Sequence, residues 1–262
     1  MAEILWFLRQ GWKNTWKQNL VWLVSTFPIL ISLFPVVQIK YGSNPGLLLL
    51  YLAGFFLSIF LAAQSYIGVP YLVYCFTMNR PTTLEDAFHA VGKFFGRVLG
   101  CYLIGIVVLL PCIFLMVGLS LDNSTQPPHL SNTISLLRLP LSLFIAMVDF
   151  AMFEFFKKDS GIRAALSNSW NLFISHFGVL AALGIILTVV FGIFSTASGI
   201  LTVLLKSSFD LAALSQLNYL NPSTSFTGDV LFILTNGIGQ MVCTVFSTSV
   251  FALAYLKYSE KK

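Results

Sequence analysis

One carboxyl side chain, Asp149, lies within an otherwise apolar stretch of this chain. It precedes Lys157 by eight residues, or about 12 Å along a helix that rises 1.5 Å per residue. In a membrane-spanning helix this depth lies in hydrocarbon, where a carboxyl group must be protonated or paired. The candidate partners are Arg97, Arg163 and His176. Such a residue indicates a proton or cation site, and the alternative is a structural polar tie between helices.

A second set of polar side chains follows one face of the last apolar run. Asn236, Gln240 and Thr244 recur every four residues, which places them on the same side of a helix. Amide groups are costly to expose to lipid, so we expect this face to point into a helical bundle. It would line a polar path that includes Asp149, or it would hold neighbouring helices together.

The motifs of common enzyme classes are missing from the sequence. There is no glycine-rich phosphate loop and no HExxH motif, and the three histidines are far apart. The four cysteines, which all fall within or at the edges of apolar runs, show no metal-ligand spacing. We therefore predict a protein that is not an enzyme and that holds no metal and no cofactor.

Composition identifies the elements that must position these groups. Hydrophobic residues make up 57% of the chain and charged residues 10%, and the mean hydropathy is +0.84. Because about 20 apolar residues cross the hydrocarbon and the runs are continuous rather than alternating, the pattern predicts an all-α membrane protein. Its six transmembrane helices are expected at about 20–39, 46–76, 98–120, 134–156, 177–205 and 227–256.

Charge distribution predicts the orientation of these spans. Of the fifteen lysines and arginines, only Lys40, Arg138 and Lys206 fall on one side of the membrane. The positive-inside rule makes the other side cytoplasmic, so we expect both termini there, in a plasma membrane that is most simply a bacterial inner membrane. The expected partners are membrane lipids and a protein in a membrane complex. Nucleic acid is excluded because no basic face offers room for it.

Three amphipathic segments on the cytoplasmic side, at 3–18, 82–97 and 159–176, each precede a span. They predict three interfacial helices and a possible threefold parallel repeat of about 79 residues, with units 1–79, 80–158 and 159–262 in one membrane domain of residues 1–262. Trp12, Trp16 and Trp170 are the expected interfacial anchors.

Small residues predict where helices approach one another closely. Gly184, Thr188, Gly192 and Thr196 form a ridge of small side chains at four-residue steps in the fifth predicted span. Such a ridge is typical of tight helix packing in membranes. Gly96 and Gly100 suggest the same for the third predicted span.

The segment 153–172 carries an acidic residue at a span end, followed by Gly-x-x-Ala-Ala-Leu-x-x-Ser-Trp-x-Leu. It resembles a group of uncharacterised bacterial six-helix membrane proteins, similar to the membrane domain of some glycerophosphodiester phosphodiesterases. Gly11-Trp12-Lys13 and Asn19-Leu20 resemble their amphipathic start. The resemblance implies a six-span membrane module. The soluble catalytic domain of those phosphodiesterases has no counterpart here, so their activity is not implied.

Two functions are compatible with these patterns. The first is a non-enzymatic membrane module that acts as a scaffold, an accessory subunit of a membrane complex, or an organiser of lipid. The second is a transporter or permease for a small solute or lipid, with a polar path near Asp149 and the sixth helix.

Overall fold

The computed structural model describes residues 1–33, 48–121, 147–209 and 226–260. Within these ranges every regular element is a helix. In chain order the elements are α1 Ala2–Thr15, α2 Asn19–Ser25, α3 27–33, α4 Leu48–Ala63, a π-helical turn Gln64–Gly68, α5 Val69–Thr77, α6 Leu84–Leu121, α7 147–158, α8 Ile162–Ser175, α9 Phe177–Phe209 and α10 Phe226–Ser259.

Four of the described helical segments are long and apolar enough to cross a membrane. They are Leu52–Thr77, Leu84–Val107, Phe177–Leu201 and Ile233–Ser259. Their outer surfaces expose large apolar side chains that water would not favour and lipid accepts. The all-helical fold is confirmed in the described ranges. The predicted span 20–39 is described only as far as residue 33, and the predicted span 134–156 only from residue 147, so the count of six stays a prediction.

The second amphipathic segment is not a separate interfacial helix. α6 runs without a break from Leu84 to Leu121, about 57 Å at 1.5 Å per residue, so it includes both the segment 82–97 and the span 98–120. A capping box formed by Thr83 and Asp86 opens this helix. The backbone N–H of Thr83 donates to the Asp86 carboxylate at 2.7 Å, and the Asp86 N–H donates to the Thr83 hydroxyl at 3.3 Å.

The first and third amphipathic segments do end before the helices that follow them. Trp16–Gln18 separate α1 from α2, and the Trp22 indole N–H donates to the Thr15 carbonyl at 2.8 Å across this junction. His176, with φ −124° and ψ 24°, separates α8 from α9. At these two junctions a local polar contact or a non-helical residue interrupts the backbone ladder. The threefold repeat stays a prediction.

The second predicted span, 46–76, is interrupted by the π-helical turn Gln64–Gly68. Pro70 follows directly, as the second residue of α5. Proline lacks an N–H and its ring collides with the carbonyl four residues earlier. A widened turn beside it provides a local backbone geometry that accommodates the ring.

The chain divides into two compact units. Unit 1 comprises Met1–Val91 and Gly178–Ala254, and unit 2 comprises Gly92–Phe177 and Tyr255–Lys262. In unit 1, α10 packs against α1 and α9. In unit 2, Phe150 and Phe153 of α7 contact Tyr255, and Phe94 contacts Phe155.

Candidate functional site

Asp149 lies on α7 in unit 2 and is half-buried. Its neighbours Val148, Phe150 and Ala151 are wholly buried. Among the contacts of the described residues, no hydrogen bond or ion pair involves the Asp149 carboxylate. The residues next to Asp149 in the sequence are therefore buried, and its role as an intramembrane polar site stays a prediction.

The structure brings none of the three candidate partners into an ion pair with Asp149 in the ranges that it describes. The Arg97 guanidinium binds the Asp159 carboxylate and the Ser160 carbonyl oxygen. The imidazole of His176 stacks on the Tyr258 ring, with centroids 3.8 Å apart and planes at 10°. Arg163 is exposed near the start of α8.

An ion cluster that the sequence analysis did not identify joins α6 to the α7–α8 junction. Asp159 accepts from Lys93 at 2.9 Å and from Arg97 at 2.5 Å. The Lys93 contact first, and then the Arg97 contact, lower the pKa of Asp159 below its ordinary value. Asp159 also ends α7 with a left-handed φ of 53°, a conformation that aspartate tolerates. Its role is therefore an ionic clamp, whereas the N-cap of α8 is Gly161.

The polar stripe of the sixth predicted span does not point into the bundle as a whole. Asn236 is half-buried, whereas Gln240 and Thr244 are exposed. Thr244 lines a shallow groove of about 120 Å³ between α9 and α10, together with Leu187, Val190, Phe191, Cys243, Phe246 and Ser247. Asp149 belongs to the other unit.

The small-residue ridge of α9 faces outward. A Cβ atom added at Gly184 or Gly192 would meet no atom within 4 Å, and Thr188 and Thr196 are exposed. Each threonine hydroxyl donates to the carbonyl four residues earlier, Thr188 to Gly184 at 2.8 Å and Thr196 to Gly192 at 2.9 Å. Among the described residues no helix packs on this ridge, so its expected role in helix packing stays a prediction.

Gly96 and Gly100 of α6 differ in the same respect. At Gly100 an added Cβ would lie 2.7 Å from Ile162 Cδ1, so this glycine does allow a close approach, as its small size predicts. At Gly96 it would meet nothing within 4 Å. Only Gly100 therefore acts as a packing position among the described contacts.

The tightest helix contacts of unit 1 involve glycines that the sequence analysis passed over. An added Cβ would lie 2.5 Å from Val250 at Gly11, 2.6 Å from Ile29 at Gly237 and 2.5 Å from Ser198 at Gly239. The last two glycines lie on α10. Each of these contacts is therefore possible only because the residue is a glycine and has no side chain.

Gln64 is a buried polar residue that the sequence analysis also missed. It opens the π-helical turn, is wholly buried, and neither its amide nitrogen nor its amide oxygen has a hydrogen-bond partner in the described part of the chain. An unpaired buried amide costs about 1–3 kcal/mol. The sequence did contain a signal for this buried residue, since a glutamine stands inside the apolar run 46–76, six residues before Pro70.

The predicted interfacial tryptophans are all partly exposed. Trp12, Trp16 and Trp170 show 42%, 54% and 52% of their surface. Trp12 meets Trp16 edge to face at 5.3 Å and Phe246 of α10 at 5.6 Å, and Trp16 stacks on Trp22. An indole that packs on one side and is open on the other is typical of a membrane interface.

In the ranges covered by the structure, no group of three or more His, Cys, Asp or Glu side chains could hold a metal ion. The expected absence of a metal and of a cofactor stays a prediction. No protein family, curated protein or solved structure matches this chain. The resemblance to bacterial six-helix membrane proteins is therefore also still a prediction.

Proposed function

We propose that this chain is a non-enzymatic membrane scaffold, an accessory subunit that holds a partner through the outer face of α9. It would cross a plasma membrane, most simply a bacterial inner membrane, six times, with both termini in the cytoplasm as the charge distribution predicts. One observation carries the proposal: among the described residues, no atom lies within 4 Å of a Cβ added at Gly184 or Gly192, and Thr188 and Thr196 of the same ridge are exposed.

An open ridge of this kind suits a second transmembrane helix. Without side chains at Gly184 and Gly192, two helix backbones approach closely enough for extensive van der Waals contact, which is the main attraction between helices in lipid. The threonine hydroxyls are already bonded within α9, so association leaves no donor unpaired. The ridge is also self-complementary, and a second copy of the chain is one form that the partner would take.

The test compares Gly192→Leu with Gly96→Leu. Both changes add an isobutyl group to a helical glycine that is exposed and has no atom near its Cβ position. Filling a packed interface costs about 1–3 kcal/mol, so Gly192→Leu should weaken association by roughly 5–150-fold. Gly96→Leu should leave it unchanged.

The measurement is native mass spectrometry of protein purified in a mild detergent, with the dissociation constant then obtained for whichever protein accompanies the chain. A second copy or a different protein, bound in fixed stoichiometry and lost in Gly192→Leu, supports the scaffold. A chain that is alone in mild detergent, or that keeps its partner equally in both variants, refutes it.

Transport is the second candidate, and Gln64 favours it. A wholly buried amide with two unpaired polar atoms beside a π-helical turn is a feature common at functional sites. Solute flux into proteoliposomes would test the path suggested by the sequence. Abolished flux in Asp149→Asn or Gln240→Leu, with folding intact, would establish the transporter, whereas unchanged flux in both would exclude that path.

A further inference from the structure

The outer face of α1 combines cations with large apolar side chains. Leu5, Arg9, Trp12 and Trp16 follow one another at helical spacing and are all exposed, and Lys13 and Lys17 lie beside them and are exposed too. Residues four and seven positions apart share one side of a helix. This face therefore presents a positive charge and an indole in alternation along its length.

The opposite face of α1 is fixed to the protein. Phe7 is wholly buried, and Gly11 lets α1 lie directly on Val250 of α10. Trp12 meets Phe246 at 5.6 Å, and the Trp22 indole holds the Thr15 carbonyl at 2.8 Å. The outer face is thus held in place before any ligand binds, which lowers the entropy that binding must overcome.

The positive charge of this face is not neutralised within the described residues. None of the ion pairs found there includes Arg9, Lys13 or Lys17. The only acidic side chain of α1 is Glu3, in its first turn. Arg9 and Lys13 on α1 and Lys17 just beyond its last residue are uncompensated cations, which are complementary to phosphate oxygens.

We propose that the outer face of α1 is a binding site for the headgroup of an anionic phospholipid. Arg9, Lys13 and Lys17 contact the phosphate oxygens, while Trp12 and Trp16 lie at the level of the lipid carbonyls. The indoles would contribute nothing to the binding of a soluble anion, whereas they are favoured at a membrane interface. The site goes beyond the proposed scaffold, because it lies on α1 and not on the ridge of α9.

The experiment uses the full chain in detergent, titrated with phosphatidylglycerol or phosphatidylcholine whose acyl chains are brominated. Quenching of tryptophan fluorescence reports binding. A Trp170→Phe background leaves only the indoles of Trp6, Trp12, Trp16 and Trp22, which lie on α1, on α2 or on the short segment between them. The expected result is tighter binding of phosphatidylglycerol than of phosphatidylcholine.

The decisive comparison is between two double variants with the same charge change. Each juxtamembrane cation contributes about fivefold to anionic-lipid affinity, so Arg9→Gln/Lys13→Gln should lower the preference for phosphatidylglycerol by roughly 25-fold. Arg80→Gln/Arg163→Gln removes two exposed cations elsewhere and should change it less than about twofold. The charge-preserving Arg9→Lys/Lys13→Arg should retain the preference.

Several results would overturn the site. One such result is that the unmodified protein shows no preference for phosphatidylglycerol. Another is that both double variants lose the preference equally, which would indicate a general charge effect. Loss of the preference in Arg9→Lys/Lys13→Arg with normal thermal unfolding would also contradict a site based on charge. None of these results depends on whether Gly192→Leu releases a partner, so the two proposals fail separately.

Discussion

Replacing Gly11 by alanine should destabilise the protein, although alanine is the better helix former. Gly11 lies inside α1, where a change from glycine to alanine gains about 1 kcal/mol of helix propensity. The added Cβ, however, would lie 2.5 Å from Val250 Cγ2, 3.3 Å from the Val250 nitrogen and 3.4 Å from its Cα. Valine has little freedom to rotate, and its backbone lies directly behind, so α1 must move away from α10.

Gly96→Ala provides the reference for this change. Gly96 is also helical, and its Cβ would meet nothing within 4 Å, so the propensity gain should appear undiminished. The difference in the free energy of unfolding between the two variants then isolates the steric term, which for overpacking is about 1–3 kcal/mol. At about 2–4 °C per kcal/mol for a chain of this size class, Gly11→Ala should unfold several degrees below Gly96→Ala.

The assay is thermal unfolding in one detergent, followed by tryptophan fluorescence and extended to the double variant Gly11→Ala/Val250→Ala. Removing the two methyl groups of Val250 should relieve the clash, so the two substitutions should couple favourably by about 0.5–3 kcal/mol. If Gly11→Ala stabilised the protein as much as Gly96→Ala, or if the double variant showed no coupling, α1 would not lie on α10 as described.

Two further predictions concern polar groups. Gln64→Leu should raise the midpoint temperature of unfolding, because it removes two unpaired buried polar atoms that cost about 1–3 kcal/mol of stability. Gln64→Glu, of equal size, should lower the midpoint. A lower midpoint for Gln64→Leu would show that the amide is paired. The clamp at Asp159 should lose its stabilising effect in acid. The pKa of Asp159 in the folded protein lies below its value of about 4 in the unfolded chain. The stabilisation is therefore fully present above about pH 4 and is lost as the pH falls through the folded-state pKa. Measured from pH 7 to 3, the unfolding temperature of Asp159→Asn should fall less than that of the unmodified protein. The control Glu85→Gln, which alters an exposed carboxylate, should follow the curve of the unmodified protein. If the curves of Asp159→Asn and the unmodified protein were parallel, Asp159 would not act as a clamp.

The amino-acid sequence by itself determined the helical fold class and the positions of two of the long helices. The predicted spans 177–205 and 227–256 correspond to α9, Phe177–Phe209, and α10, Phe226–Ser259. Both follow from local physics, since the length of an apolar run is set by the bilayer and the backbone must pair within its own helix. The apolar position of Asp149 followed in the same way.

Only the tertiary structure decided where α6 continues and where α8 stops. Both begin with an amphipathic segment of similar composition, yet α6 passes through Arg97 without a break and α8 ends at His176. Arg97 is held by Asp159, 62 residues further along the chain. A contact between distant residues leaves no periodic pattern in the sequence near either of them.

The tertiary structure also decided which small residues are packed. Gly11, Gly237 and Gly239 each allow a close contact, while Gly184 and Gly192, which form the more regular pattern, are open. A small residue permits a helix to approach, but the approach itself depends on where the other helices lie. Gln240 and Thr244 share a helix face, as their spacing predicts. That this face is exposed was again determined only by the packing of α9 and α10.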